Sequence, residues 1–479
     1  MERIVNCQLR EEPASNGGGR VKRVLKYGVI VVVAAAAVFG LYRLQQVLML
    51  GAGYYAKMLC SGVFVSGRPA DEVIAEDVRA DRTGLLGLFS SAVDSEAQAV
   101  DVWVPSGFAA QRAVYRDGYG CHLALEADRP EDALRPLEPI APPHQDALWP
   151  EGGRLAAEAL PPENREALYA ALDEAFAEDD PENLKRTRAI AVVHRGRLVA
   201  EQYADGFTEE TPQLGWSMAK SVTNALAGAV AARGEIAPEE PAPVDEWNGP
   251  DDPRQAITFD NLLRMSSGLE FSEDYDGMLA DVRLMLFLRG DKAGFAADKP
   301  LECDPGDCWS YSSGTSNILA KVVQDAAGGA AAAHDLLFAP LGMHTAVFEP
   351  DAAGTLVGSS YVHASARDWA RLGLLYLRAG QWNGETIFAE DWVDYTLEPA
   401  PGSNGAFGAH VWLEAPPHND PEAVAAIPED DFYFLGHDGQ MVAVIPSRET
   451  VIVRLGLTRD QERFDHARLV RSILDALPE

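Results

Sequence analysis

The sequence is short of positive charge. Its 479 residues contain 40 lysines and arginines against 73 aspartates and glutamates, giving a formal net charge of −33. Because proteins that hold nucleic-acid phosphates by electrostatics need the opposite balance, we expect no nucleic-acid partner. The ten histidines are scattered, no H-E-x-x-H motif occurs, and the acidic stretch EDYDGM lacks the remaining ligands of a calcium loop. Neither a metal ion nor an organic cofactor is therefore predicted.

The first 60 residues break the acidic pattern. Four basic residues precede an uncharged run from Tyr27 to Tyr42: Arg20, Lys22, Arg23 and Lys26. A membrane span takes about 20 residues, and the apolar VLMLGAGYY that follows can lengthen the run. By the positive-inside rule, residues 1–26 form a cytoplasmic tail and residues 27–46 an anchor in the lipid bilayer. The rest of this single-pass inner-membrane protein then lies outside the cytoplasm, in the periplasm.

A cleaved signal peptide is the alternative interpretation of the N-terminus, because the segment has a basic region followed by an apolar one. The polar lead is long, however, and no A-x-A site directly follows the apolar run. Attachment of a lipid to Cys60 is a further alternative, but Lys57, three residues before Cys60, does not fit the motif that such attachment requires. We therefore expect a retained anchor.

Cysteine is rare, with five in the chain. Cys7 lies in the predicted tail, which leaves an even number of thiols in a compartment that permits disulfides. In CDPGDC, the Pro-Gly turn can bring Cys303 and Cys308 together, and by elimination Cys60 would pair with Cys121. Zinc is the other interpretation of clustered thiols, but a matching second pair or a histidine partner is lacking.

Residues 47–150 form an accessory segment with strand-like pieces (AVDVWVP, RAVYRDGYG) and a proline-rich exit. After it come a helix (PPENREALYAALDEAF), a hairpin (AIAVVHRGRLVAEQYA) and several helices. Three strands (DFYFLGHDG, MVAVIPS, TVIVRLGL) and a terminal helix close the chain. This order predicts an α+β domain over residues 151–479. Its antiparallel sheet of about five strands is built from both ends, flanked by helices and interrupted by a helical subdomain, with a cleft at the junction.

The candidate chemistry lies in LGWSMAKSVTNALAGAV, where Ser217 precedes Lys220 by three residues. On a helix these side chains share a face. A serine needs a base to act as a nucleophile, and a lysine among apolar neighbours loses its proton more easily because burial disfavours the charge. The motif arises by chance in many chains, and two further pieces support it. Tyr311 precedes a helix in WSYSSGTSN, and GHDGQ ends a predicted strand.

Together, SMAK, YSS and HDG resemble the S-x-x-K, Y-x-N and K-T-G or H-x-G motifs of β-lactamase and penicillin-binding-type serine hydrolases. The flanking ITFDNLLRMSSGLEF and ASARDWARLGLLYLRAGQWNGETI are similar to the class C-like branch, which includes esterases, D-amino-acid peptidases and 6-aminohexanoate-dimer hydrolases. The resemblance covers about residues 155–478 and nothing in 47–150. At Ser313 the family usually has asparagine, and the shorter hydroxyl argues against classical penicillin chemistry.

The resemblance implies a role for each site residue. Ser217 would attack a carbonyl carbon and form an acyl-enzyme, while Lys220 and Tyr311 share the proton transfers. The backbone N–H groups of Ser217 and Gln440 would hold the oxyanion, and Gly439 would let the substrate approach that edge. Water would then release the acyl group, with no metal or cofactor.

His437 determines the predicted substrate class. Penicillin-type sites place a permanent positive charge at this position, whereas an imidazole is mostly uncharged at neutral pH. The adjacent Asp438 further disfavours an anionic ligand. We therefore predict hydrolysis of small esters or amides rather than of β-lactams or D-Ala-D-Ala peptides, which remain the alternative. A strand-end histidine that only satisfies a backbone carbonyl is the structural alternative for His437.

Two rival classes are considered. GWSMA is one residue from the G-x-S-x-G elbow of α/β-hydrolases, but that elbow needs a strand leading into the serine, and EETPQLG is polar and contains proline. A non-catalytic cell-envelope binding protein could share the fold. Such a protein would have no reason to keep Ser217, Lys220 and Tyr311 together, so an enzyme is predicted.

Overall fold

The computed structural model describes residues 17–79, 84–126, 134–275, 277–416 and 420–478. The chain divides into two compact units, residues 1–48 and 49–479. Most of the expected cytoplasmic tail, including Cys7, lies outside the described residues. The finer division at residue 150 stays a prediction.

Helix α1 (Gly17–Phe64) is the one helix among the described residues that is long and apolar enough to cross a membrane. Its large apolar side chains are exposed between Leu25 and Leu44, and most of its residues are buried from Ala52 onwards. The helix runs well beyond the predicted span at 27–46 because no proline interrupts it before Pro69. By length and composition, the N-terminal part fits a membrane span.

The segment after α1 forms a small sheet of its own. Helix α2 (Ala70–Glu72) and short turns lead to an antiparallel meander of four strands: β1 (Ser90–Asp94), β2 (Ala99–Trp103), β3 (Ala110–Arg116) and β4 (Gly120–Leu123). A parallel pair follows, β5 (His144–Leu148) and β6 (Gly152–Arg154). The Cys60–Cys121 disulfide joins α1 to β4, and a second disulfide joins Cys303 to Cys308, as predicted.

The main sheet has five antiparallel strands, and its order confirms the predicted α+β fold. The strands lie in the order β14-β15-β16-β7-β8, with bounds β7 (Thr187–His194), β8 (Arg197–Tyr203), β14 (Phe432–Gly436), β15 (Gln440–Ile445) and β16 (Thr450–Gly456). Arg195 and Gly196 both have positive φ (49° and 72°) in the β7–β8 turn. Two such residues are what a tight hairpin turn requires. The sheet is thus assembled from both ends of the domain.

Helices cover both faces of this sheet. One face packs against α3 (Pro162–Phe176) and α13 (His466–Ala476). The other contacts α10 (Ala366–Leu377), where Gly373 lies so close to Val442 and Val451 that a β-carbon would meet their methyl groups at 2.9 and 2.6 Å. The remaining helices are α4 (Met218–Ala231), α5 (Phe259–Leu263), α6 (Asp281–Leu288), α7 (Lys292–Ala297), α8 (Ser313–Ala326), α9 (Ala339–Leu341), α11 (Glu390–Leu397) and α12 (Pro421–Val424).

Two local predictions need correction. Strands were expected to return only near the C-terminus, but short ones occur within the helical region: β9 (Gln213–Leu214), β10 (Val347–Phe348), β11 (Val362–Ala364), β12 (Gln381–Trp382) and β13 (Glu385–Thr386). Runs of two or three residues are too short to show a period. In ITFDNLLRMSSG the sequence predicts a helix that Thr258 caps and Gly268 stops; α5 has this cap but ends at Leu263, because Met265 already adopts a left-handed conformation (φ 60°).

A buried ion pair connects α1 to the main fold. The Lys57 Nζ donates to Glu349, and these side chains are 1% and 0% exposed. Glu349 Oε1 also accepts from the Ser61 hydroxyl (2.8 Å) and the Cys121 N–H (2.7 Å). These donors lower the penalty of burying the carboxylate, and the Lys57 ammonium also lies over the Tyr361 ring, 4.2 Å from its centroid. Burial alone would raise the pKa of Glu349, but the Lys57 charge holds it below its usual range. Residues 49–123 are therefore part of one folded unit with the sheet.

We expect Glu349→Gln to lower the free energy of unfolding by about 3–5 kcal/mol, because it leaves the Lys57 charge buried without its partner. Urea unfolding of the detergent-solubilised chain, followed by tryptophan fluorescence, measures the loss. The double variant Lys57→Met/Glu349→Gln removes both charges and should lose less than the single variant. An equal or larger loss in the double variant would contradict the ion-pair account.

Candidate active site

Ser217 stands at the N-terminus of α4, directly after β9, Gly215 and Trp216. Gly215 is required here because a β-carbon would lie 2.3 Å from the Trp369 ring. Trp216 has φ 49°, a left-handed conformation that is rare for a bulky side chain and costs about 1–3 kcal/mol. The chain thus turns sharply before Ser217, which leaves this side chain only half-buried at the beginning of a helix.

Lys220 lies one turn further on α4 and is 2% exposed. Its Nζ is 3.2 Å from the Ser217 Oγ, 3.1 Å from the Ser313 Oγ and 3.1 Å from the Ser359 carbonyl oxygen. Three acceptors therefore match the three N–H groups of an ammonium. In the neutral amine, two N–H groups suffice for Ser313 and Ser359, and the lone pair can accept the Ser217 proton.

Burial lowers the pKa of Lys220 to about 8, and the nearby Glu273 charge partly opposes this shift. A lowered pKa alone does not identify a catalytic amine. Burial also lowers the pKa of Lys292 to about 8, but the Lys292 Nζ donates to the Arg289 carbonyl oxygen at 3.0 Å. What distinguishes Lys220 is its hydrogen bond to a half-exposed serine hydroxyl.

Glu273 is a site residue that the sequence analysis missed. Its Oε1 accepts from the Ser313 hydroxyl (2.6 Å), and its Oε2 accepts from the Ser313 N–H (2.8 Å) at the start of α8. Ser313 thus accepts from Lys220 and donates to Glu273. A carboxylate at this helix N-terminus is also favoured by the helix dipole. In the sequence, Glu273 is the first residue of the acidic stretch EDYDGM, which was compared only with a calcium loop.

Tyr311 lies beside Ser217 and Lys220. Its ring packs against Phe407 and Trp412, with centroids 5.8 and 5.4 Å away, and Lys220 Nζ lies 4.7 Å from its centroid. Burial and the Glu273 charge raise the pKa of Tyr311, while its hydrogen bond with Ser217 works in the other direction. The phenol therefore keeps its proton at neutral pH and can donate it.

The residues His437–Gly439 connect β14 to β15, and we call them the β14–β15 turn. The His437 side chain is 38% exposed. Its ring stacks on Tyr275 (5.4 Å) and meets Trp216 edge to face (5.8 Å). The Tyr275 hydroxyl donates to Glu273 at 2.6 Å. His437 therefore borders the same site as Ser217, reached through Trp216 on one side and through Tyr275 and Glu273 on the other.

Gly439 and Gln440 are fixed by contacts with buried residues of β16. Gly439 has φ 82°, and a β-carbon there would lie 2.6 Å from the Arg454 guanidinium. The Gln440 side chain is clamped to Gly456 on β16, donating to its carbonyl (2.6 Å) and accepting from its N–H (3.0 Å). On β14, Gly436 approaches the Gly215 carbonyl: a β-carbon would lie 2.1 Å away. The expected roles of Gly439 and Gln440 in substrate binding stay predictions.

The structure thus brings Ser217, Lys220, Tyr311 and Ser313 into one cluster and places His437 at its border. Within the described ranges, no group of three or more His, Cys, Asp or Glu side chains is arranged to hold a metal ion. The chemistry available is that of a hydroxyl, a buried amine, a protonated phenol and a carboxylate that orients them. This set suits acyl transfer.

Comparison with known proteins gives consistent results. A model of the Beta-lactamase family matches residues 175–476, more than half of the chain. The 6-aminohexanoate-dimer hydrolase of Paenarthrobacter ureafaciens is 25% identical over 299 residues, 58% of this chain and 74% of the relative. Two solved structures share the fold. A β-lactamase candidate from Bacteroides dorei DSM 17855 is 16% identical (TM-score 0.50), covering 65% of this chain and 97% of its own. SurE, solved with D-Leu, is 18% identical (TM-score 0.50), with 65% and 75% covered.

The lowered pKa of Lys220 predicts the pH dependence of acyl transfer to Ser217. Because only the neutral amine can accept a proton, the acylation rate should rise with pH through about 8 and level off above it. Stopped-flow measurement of acylation by a p-nitrophenyl ester, repeated over a range of pH, gives this rising limb of the pH–rate profile. Glu273→Gln should move the limb to lower pH, since the Glu273 charge raises the pKa of Lys220.

Asp274→Asn is the matched control for this shift, because Asp274 is the next acid in the chain and is exposed. It should leave the limb within about 0.3 pH units of the wild type, since screening weakens charges in water. A Glu273→Gln limb that stays in place or moves to higher pH would refute the assignment of the limb to Lys220.

Proposed function

The chain belongs to the β-lactamase family of hydrolases, and from this premise we propose that it cleaves small esters or amides through an acyl-enzyme on Ser217. The observation that carries the proposal is the hydrogen bond of 3.2 Å between the Ser217 Oγ and the buried Lys220 amine. A serine hydroxyl beside a desolvated amine is the arrangement that activates the oxygen as a nucleophile.

Because the pKa of Lys220 is lowered and that of Tyr311 is raised, Lys220 acts as the base and Tyr311 as the acid in the first half-reaction. Neutral Lys220 accepts the Ser217 proton while Oγ forms a bond to the carbonyl carbon. As the tetrahedral intermediate collapses, the bond to the leaving oxygen or nitrogen breaks, and Tyr311 protonates that atom. Lys220 then returns a proton to Tyr311. A water molecule attacks the ester in the second half-reaction, and the same groups take its proton and restore Ser217.

The oxyanion of the intermediate needs N–H donors fixed in advance. The Ser217 N–H is one such group, because it precedes the first N–H groups of α4, those of Met218 and Ala219, which donate to the Gly215 and Trp216 carbonyls. We place the second donor at the Gln440 N–H, at the start of β15, where Gln440 is paired with Gly436. The approach of Gly436 to the Gly215 carbonyl supports this placement, because it brings the end of β14 next to the loop that carries Ser217.

Charge at the site supports an uncharged substrate over a carboxylate-bearing one. One carboxylate, Glu273, lies beside Ser313 in the cluster, and an anionic substrate such as a β-lactam would approach its charge. Asp438, beside His437, is 2% exposed and paired with Arg459, so it does not repel a substrate as the sequence had suggested. The Paenarthrobacter relative is named for hydrolysing a 6-aminohexanoate dimer, and its 25% identity also supports amide cleavage here. A β-lactamase or D-Ala-D-Ala peptidase remains the second candidate, supported by the name of the matched family.

We also propose that residues 27–46 anchor the protein in the inner membrane and that the domain from residue 151 works in the periplasm. The apolar stretch of α1 and the basic residues before it support the anchor. The two disulfides support an oxidising compartment.

Ser217→Ala should abolish covalent labelling by a fluorophosphonate and lower kcat/KM for a p-nitrophenyl ester by about 10⁴-fold or more. Lys220→Ala and Tyr311→Phe should be nearly as severe, because the three groups act as one proton relay. Ser221→Ala is the matched control, since the Ser221 hydroxyl lies on the same helix but donates to the His410 carbonyl. Wild-type labelling of Ser217→Ala would disprove the nucleophile.

The wild type should have a higher kcat/KM for a short acyl ester than for nitrocefin, because the carboxylate of nitrocefin would approach the Glu273 carboxylate. His437→Lys adds a permanent positive charge at the border of the site and should narrow this preference for the ester by about two- to fivefold, the effect of one partly exposed ion pair. Parallel assays of both substrates give the ratio. A wild type that prefers nitrocefin would replace the esterase or amidase proposal with a β-lactamase.

A further inference from the structure

The β14–β15 turn is contacted from two sides. On the inner side, the Arg454 guanidinium donates to the Gly439 carbonyl (2.8 Å), and the Thr458 N–H donates to the Asp438 carbonyl (2.9 Å). Both contacts fix the backbone of the turn, and both come from the region that the family model matches. They leave the side chains of the turn to be held by other groups.

On the outer side, Asp438 is held by Arg459. The Asp438 side chain is 2% exposed, and its Oδ2 accepts from the Arg459 Nη1 at 3.0 Å. Its other oxygen, Oδ1, lies 3.5 Å from the His437 Nε2. Asp438 also has φ 61°, a costly conformation for a residue with a side chain, which persists only where surrounding contacts enforce it. One carboxylate thus faces both His437 and Arg459.

The other end of Arg459 reaches α1 and the segment after it. Its Nη2 donates to the Tyr54 hydroxyl (3.1 Å) and to the Asp77 carbonyl (2.5 Å). The Tyr54 ring packs edge to face on Phe287 (5.4 Å), which fixes the hydroxyl. Tyr54 and Asp77 precede the matched region, residues 175–476. A single guanidinium therefore links the turn to residues that precede the region matched by the family model.

A cavity of about 60 Å³ adjoins this link and is lined by Tyr54, Trp216, Asp438, Gln440 and Arg459, among other residues. Asp438 and Arg459 therefore meet at the wall of a cavity, where the hydrogen bond between them is one of the contacts that fix the Asp438 side chain.

We propose that Arg459 is a positioning residue through which Tyr54 of α1 holds the β14–β15 turn, and with it His437, in its catalytic place. The inference rests on the proposed hydrolase function, since it needs the turn to border the substrate. It gives residues 49–79 a task in the reaction: they complete the site from outside the family domain. Without this link, the turn keeps its backbone contacts to Arg454 and Thr458 but loses the restraint on Asp438.

Tyr54→Phe tests the link with the smallest change, because it removes one hydroxyl and keeps the ring on Phe287. We expect kcat/KM for a p-nitrophenyl ester to fall about three- to tenfold, the range that the loss of one hydrogen bond produces. Arg459→Met should lower it further, by roughly tenfold or more, as it leaves the Asp438 charge buried and unpaired. The assays use the full chain in detergent and record kcat, KM and the amplitude of the acylation burst.

Tyr55→Phe is the matched control. Tyr55 is the next residue of α1, and its hydroxyl bonds to the Ser91 Oγ (3.2 Å), away from the turn. It should keep kcat/KM within about twofold of the wild type, as expected for a change outside the site. The fraction of chains labelled by a fluorophosphonate at completion should match the wild type in both variants, because positioning changes the rate of acylation and not the number of folded sites.

The inference is overturned if Tyr54→Phe and Tyr55→Phe behave alike, or if the activity of Tyr54→Phe falls only in proportion to the fraction of chains that a fluorophosphonate labels at completion. Ser217→Ala separates this failure from failure of the proposed function. If Ser217→Ala keeps the burst, the hydrolase proposal is wrong. If it loses the burst while the two tyrosine variants match, only the role of Arg459 is wrong.

Discussion

The site depends on the burial of one amine. Lys220 is almost inaccessible to water, and desolvation is the largest cause of its lowered pKa. The protein compensates this burial with three oxygen acceptors, from Ser217, Ser313 and Ser359. They lie on α4, on α8 and in the loop before β11, so the amine senses the packing of three separate elements. A shift of any one would leave a buried donor unpaired, which is costly, and would also move the nucleophile.

The segment outside the family domain contributes to the same constraint. Lys57 on α1 binds Glu349, which directly follows β10, and β10 pairs with β11 in the small sheet that also contains β9. Ser359 lies in the loop between β10 and β11, and β9 leads to Ser217. The segment from Lys57 to Cys121 is therefore packed against the elements that carry the site. A second contact, through Arg459, reaches the opposite border of the site at Asp438.

The sequence was sufficient to predict the fold and the proximity of Ser217 and Lys220, because both follow from local patterns. Ser217 and Lys220 are neighbours on one helix, so their contact follows from helical spacing, and the β7–β8 hairpin follows from a two-residue turn. Glu273 was missed because its role depends on a loop meeting the N-terminus of α8, 40 residues later. The links from Lys57 to Glu349 and from Tyr54 to Arg459 join residues 292 and 405 positions apart. No local pattern in the sequence marks such pairs.

The central claim is that substrate passes through a covalent ester on Ser217. The most direct test is an acid quench of the enzyme during turnover of an isotopically labelled acyl ester, followed by tandem mass spectrometry of the peptides. The account predicts one acyl group per active chain, located on Ser217. Steady turnover with no acyl adduct, or with the adduct on another residue, would contradict it.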